Sequence, residues 1–67
     1  MEKFAQRLKE LRADKELSTA ALGKLVGVES STISRWENNK IAIIDENLVK
    51  LSKFFGVTTD YLLGLED

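Results

Sequence analysis

Apolar side chains recur along this chain with helical spacing. Phe4, Leu8 and Leu11 stand at i, i+4 and i+7, while Gln6, Lys9, Glu10 and Asp14 fall elsewhere around the cylinder, so the spacing predicts an amphipathic helix over 2–14. Ser18 is a natural cap for a second helix over 19–26, although Ala21 stands where the Glu of a capping box would answer it. In that helix Leu22, Leu25 and Val26 read as one apolar face. Gly27 stops it, because a residue without Cβ takes positive φ at no cost. Val28 is an apolar plug. A third helix runs from Ser30 to about Asn38, with Ile33, Trp36 and Glu37 on one side and Ser30, Ser31, Ser34 and Arg35 on the other. Asn38, Asn39 and Lys40 end it, since Asn tolerates the left-handed region.

The next four residues, Ile41-Ala42-Ile43-Ile44, resemble a strand, but one strand of four residues has no partner here. They are expected to form an extended loop that lays its Ile side chains on the core. Asp45 and Glu46 open a fourth helix at its dipole-favoured end. Leu48, Leu51, Ser52 and Phe55 line its inner face, and Gly56 ends it. Thr58 caps a last short helix with Asp60 in its first turn and Tyr61, Leu62 and Leu65 as its apolar positions. The expected class is all-α: a compact bundle of four to five helices in one domain, 1–67.

Composition narrows the chemistry. The 67 residues contain no Cys and no His, which excludes disulfide staples, thiolate or imidazole metal sites, and Ser-His-Asp or Cys-His catalysis. No cofactor and no metal are expected, and no paired-carboxylate or glycine-loop motif marks a catalytic site. With 43% hydrophobic and 31% charged residues the chain is too apolar to be disordered. The net charge of −1 conceals a split. Residues 1–40 hold eight Lys/Arg against six acids, whereas 41–67 hold two against five, so the charge neither requires nor forbids a polyanion partner at the N-terminal half. No apolar run approaches the roughly 20 residues of a membrane span, and Met1-Glu2-Lys3-Phe4 begins no signal-peptide pattern, so a cytoplasmic location without membrane contact is expected.

Two short helices joined by Gly27-Val28-Glu29 suggest a helix-turn-helix over 19–38. Leu22, Val26, Val28, Ile33 and Trp36 supply the five apolar positions that two steeply crossed helices need. Gly23 stands where they approach closest, and Gly27 stands at the turn. The sequence resembles the Cro/CI-type (XRE-like) helix-turn-helix family of phage and bacterial repressors. The matching residues are Leu11-Arg12, Leu17-Ser18, Leu22, Gly27-Val28, the run Ser31-Thr32-Ile33-Ser34-Arg35-Trp36-Glu37, and the closing segment Phe55-Gly56-Val57 with Asp60-Tyr61-Leu62-Leu63-Gly64. The resemblance implies a lambda-repressor-like fold that binds operator DNA as a two-fold dimer.

On that resemblance the third helix enters the major groove of double-stranded DNA with its N-terminal half at the base edges. The expected base-reading set is Glu29, Ser30, Ser31, Ser34 and Arg35. The serines discriminate weakly, whereas the fork of Arg35 suits guanine O6 and N7; a phosphate contact or a solvated charge stays open for it. Ser18 and Thr19 at the start of helix 2, and Asn38, Asn39 and Lys40 after helix 3, are the expected phosphate contacts. For Ser18 a plain cap and for Lys40 an idle charge are the bland alternatives. The family often has Gln where this chain has Thr19 and Ser30, so a Gln-based code does not transfer. It caps the recognition helix with Ser, Thr or Asp where this chain has Glu29, which either reads a cytosine amino group or merely serves the helix dipole. The family's Pro before helix 4 is also absent, with Ile43 and Ile44 there instead.

The family residues matching Arg12 and Glu37 form a structural ion pair between helices 1 and 3, and phosphate contact by Arg12 is secondary. Trp36 is read as core, because its spacing from Ile33 puts both on the inner face. Homodimer contacts are expected from Ile41, Ile43, Tyr61 and Leu65, with packing into the chain's own core as the alternative, preferred for Tyr61. The leading functional reading is a sequence-specific DNA-binding regulator, a repressor on an inverted-repeat operator. The competing reading is a protein-interaction or antitoxin-type regulator on the same fold, and an unidentified antirepressor stays open as a partner. An enzyme is disfavoured because 67 residues leave little room for a substrate pocket. The closing Gly64-Leu65-Glu66-Asp67 suits equally a complete short protein and the DNA-binding part of a longer one.

Overall fold

The structure, a computed structural model, describes residues 2–66. Five helices follow one another: α1 Glu2–Asp14, α2 Thr19–Val26, α3 Ser30–Glu37, α4 Asp45–Phe55 and α5 Thr59–Leu63. There is no strand among the described residues. The all-α class and the helix-turn-helix at α2–α3 stand as expected, and the boundaries follow the residues that predict them. The Ser18 Oγ accepts from the Ala21 amide at 3.0 Å, and the Thr58 Oγ1 accepts from the Tyr61 amide at 2.9 Å. Both satisfy amides that a helix N-terminus leaves orphaned. Gly27 and Gly56 close α2 and α4 at φ 77° and 68°. Asn39 takes φ 58° after α3, the left-handed step expected of the Asn pair.

The core is one cluster: Phe4 and Leu8 from α1, Leu22 and Val26 from α2, Ile33 and Trp36 from α3, Leu51 from α4 and Leu62 from α5. Trp36 is 2% exposed and meets Phe4 edge to face, ring centres 6.3 Å apart. Burying rings of this size removes more apolar surface from water than any other residue type, and the edge-on geometry adds a quadrupole attraction. The one buried polar side chain among the described residues, Ser52, donates to the Val49 carbonyl, so nothing in the core is left without a partner.

Gly23 shows how α2 and α3 fit. A Cβ placed there would lie 2.5 Å from the Val28 carbonyl oxygen, so the turn runs directly across the helix. This close approach corrects one expectation. Leu25 does not share the inner face with Leu22 and Val26; it is 58% exposed. The buried stripe of α2 is Leu22, Gly23 and Val26, rotated toward Gly23 because α3 comes in on that side. At about 100° per residue, Leu25 falls roughly a quarter turn off that stripe.

The 41–44 loop needs a second correction. Only Ile43 packs against the core, whereas Ile41 and Ile44 are 41% and 60% exposed. Successive residues of extended backbone point to opposite sides, which separates Ile43 from Ile44, while Ile41 sits in the bend that follows α3. No helix among the described residues is long and apolar enough to cross a membrane.

Candidate nucleic-acid interface

The interface rests on how α3 is held. Arg12 of α1 spends its whole fork on this. Its Nε donates to Glu37 Oε2 at 2.6 Å, its Nη2 to Glu37 Oε1 at 2.9 Å, and its Nη1 to the Leu17 carbonyl at 2.8 Å. The Glu37 side chain is only 6% exposed and that of Arg12 19%. One guanidinium thus ties α1, the loop entering α2 and the last turn of α3 into a fixed frame. The hydrogen bond to Glu37 pushes the Arg12 pKa up, desolvation works against that shift, and the carboxylate's charge reinforces it. The group stays charged, and planar two-point pairing is the strongest geometry available to such a pair.

At the other end of α3 a smaller contact sets the register. The Thr19 and Ser30 hydroxyls share a hydrogen bond of 2.9 Å, joining the first residue of α2 to the first residue of α3. Both side chains are half-buried, so Ser30 does not lie fully on the open side of its helix. Ser34 is also partly engaged: Asn38 Nδ2 donates to its carbonyl at 2.9 Å and reaches its hydroxyl at 3.4 Å. Ser31 and Arg35, one helical turn apart, are exposed, and their side chains have no hydrogen bond within the described residues. Glu29 caps α3 by backbone conformation alone, at φ −73° and ψ 150°, with no side-chain hydrogen bond to the helix.

The expected phosphate contacts lie at both ends of this unit. Ser18 is exposed and already caps α2. Asn38, Asn39 and Lys40 are exposed together after α3, where the Lys40 amide donates to the Arg35 carbonyl and closes the helix. Of the residues expected at a dimer contact, Ile41 and Leu65 are exposed, Ile43 packs on its own core, and Tyr61 is half-buried beneath the Arg7 guanidinium, 4.2 Å from its ring centre. Ile44, expected on the core but exposed, and exposed Val49 join the first two as apolar surface.

Three positioning contacts escaped the sequence: the Thr19–Ser30 bond, the third arm of Arg12 on Leu17, and Arg7. Arg7 donates through one nitrogen to the carbonyls of Tyr61 and Glu66, pinning α5 and the residues after it to α1. A carbonyl acceptor leaves no mark in a residue pattern. For the hydroxyl pair a signal did exist: Thr19 and Ser30 each follow a cap directly, so they hold the same place in two helices that cross.

A stable frame, two crossed short helices and an exposed polar edge on the second define a helix-turn-helix module. Over residues 8–62 the chain matches the family model described as helix-turn-helix, and it belongs to that family. It is 41% identical over 60 residues to repressor protein C2 of Salmonella phage P22, covering 90% of this chain and 28% of that protein. It is 39% identical over 64 residues to the HTH-type transcriptional activator BcrR of Enterococcus faecalis, covering 96% of this chain and 31% of that protein. The chain therefore spans about a third or less of the length of these two relatives. The solved structure of the P22 c2 repressor in complex with synthetic operator 9T superposes with a TM-score of 0.85 at 37% identity, covering 92% of this chain and 94% of that one.

Proposed function

We propose that this chain is a sequence-specific double-stranded DNA-binding unit of a cytoplasmic transcriptional regulator, acting as a repressor by occupying an inverted-repeat operator as a homodimer. The observation that carries this reading is the exposed edge of α3. Its frame is fixed at one end by Arg12–Glu37 and at the other by Thr19–Ser30, while Ser31 and Arg35 keep their hydrogen-bonding capacity for a partner. The P22 relative, solved on operator DNA, supports the same use of the same fold.

In this reading α3 lies in the major groove. Arg35 bonds guanine O6 and N7, worth about 1–3 kcal/mol of discrimination. Ser31, Ser34 and, held by Thr19, Ser30 make less selective contacts. Ser18 and Thr19 at the α2 N-terminus and Asn38, Asn39 and Lys40 after α3 grip the phosphates on either side. Ile41, Ile44, Val49 and Leu65 supply the apolar surface for the second copy. The unit works by occupancy and carries out no catalysis.

The test is selection of bound duplexes from a randomised library with the purified chain, followed by sequencing. Enrichment of two inverted half-sites about one helical turn apart supports the reading. A folded protein that enriches nothing at low salt rejects it in favour of a protein partner.

A further inference from the structure

Glu29 is the one charged side chain at the leading end of α3, and it makes no hydrogen bond to its own helix. It occupies the cap position, yet its carboxylate accepts no bond from the helix amides. It is exposed and makes no ion pair within the described residues, where Arg12–Glu37 is the only salt bridge. Its neighbour Ser30 bonds Thr19, so residue 29 adjoins the point where the starts of α2 and α3 meet. A Ser, Thr or Asp at this position would bond the helix amides and stabilise it.

A carboxylate offers only acceptors. Toward phosphates it is repulsive. Among major-groove base edges it finds donors at the cytosine and adenine amino groups alone, and adenine places its N7 acceptor beside that donor. Cytosine is therefore the edge that best receives it. Arg35, also exposed and unpaired among the described residues, lies six residues on and about a third of a turn around the helix; it carries donors only, and guanine is its match. From Glu29 to Arg35 the helix rises about 9 Å. That spans roughly two to three base-pair steps of about 3.4 Å.

We infer that Glu29 is a second specificity-determining residue. It selects a cytosine two to three base pairs from the guanine read by Arg35, and it weakens binding to sites that lack that cytosine. This inference rests on the DNA-binding reading above.

Library selection with the wild-type chain and with Glu29→Ser and Glu29→Gln tests it. The wild type is expected to enrich cytosine about tenfold or more at one position of each half-site. Glu29→Ser is expected to lose that preference, to keep the guanine, and to bind unrelated duplex more tightly. Glu29→Gln is expected to move the preference to adenine, whose N6 and N7 match an amide. Melting curves control for folding, and Glu29→Ser, which restores a cap, is expected to melt no lower than wild type. A wild-type profile with no cytosine at that spacing overturns the inference, as does a cytosine preference that survives in Glu29→Ser, while in both cases an enriched operator leaves DNA binding intact. A wild type that enriches nothing removes DNA binding and this inference together.

Discussion

At the level of single residues, Arg12 separates what holds the site from what uses it. Removing its side chain leaves without a partner a Glu37 side chain that is only 6% exposed in the intact pair. Breaking a buried pair in this way costs about 3–5 kcal/mol. Because Arg12 itself keeps a fifth of its side chain in solvent, a loss near about 3 kcal/mol is expected for Arg12→Ala. A calorimetric melt should therefore fall by ten degrees or more, at about 4–8 °C per kcal/mol for a domain of this size. The pair's contribution through Arg12 also has a defined pH sense. A cation whose folded-state pKa is raised contributes fully below its unfolded pKa and loses that contribution only as pH rises through the folded one. Melting temperatures across the neutral range should accordingly show no titration attributable to Arg12. Arg35→Ala is expected to behave oppositely: unchanged melting, and loss of preference at one base position of each half-site, read by the same library selection.

Helices were the most legible level of this molecule. Their starts and stops are written in short-range chemistry: Ser18 and Thr58 reach amides three residues on, and Gly27 and Gly56 take the positive φ that ends a helix. The side each helix buries was less legible. Leu25 fits the apolar period of α2 as well as Leu22 does, and only the approach of α3 over Gly23 decides between them. Ile41, Ile43 and Ile44 are chemically alike, and the path of the chain between α3 and α4 sends one inward and two outward. Within the candidate site, the polar edge of α3 could be read from the alternation of Ser and Arg with Ile33 and Trp36. The Thr19–Ser30 bond and the Arg7 contacts depend on residues brought together from distant parts of the chain.

The crossing of α2 and α3 carries its own prediction. In Gly23→Ala the added methyl meets the Val28 carbonyl, a backbone atom that cannot rotate away. Overpacking of this kind costs about 1–3 kcal/mol. Better helix propensity returns up to about 1 kcal/mol. A net loss in urea denaturation is expected, together with weaker operator binding as α3 tilts against its frame.

Taken whole, the molecule places its chemistry unevenly. Net charge is −1, yet Arg35 and Lys40 face outward together around the end of α3. Binding by such a surface depends on counterion release, so the slope of log affinity against log salt reports the phosphates held. Lys40→Ala is expected to reduce that slope by about one unit for each protomer and to leave the preferred sequence unchanged. Apolar exposure is uneven too. Ile44 at 60% and Leu65 at 72% are left mostly open by the described residues. Ile44→Glu is expected to lower affinity for a two-half-site duplex while sparing binding to a single half-site, as measured by gel shift on both.

The Arg7 contact bears on how the chain is assembled in time. Its acceptors lie 54 and 59 residues further along, the widest separations of any side-chain hydrogen bond among the described residues. Closing so long a loop costs more chain entropy than forming the local α2–α3 crossing. During synthesis, α1 through α3 can emerge and collapse around Phe4, Ile33 and Trp36 while the acceptors for Arg7 are still inside the ribosome. The α2–α3 crossing is therefore expected to form before α5 docks onto α1.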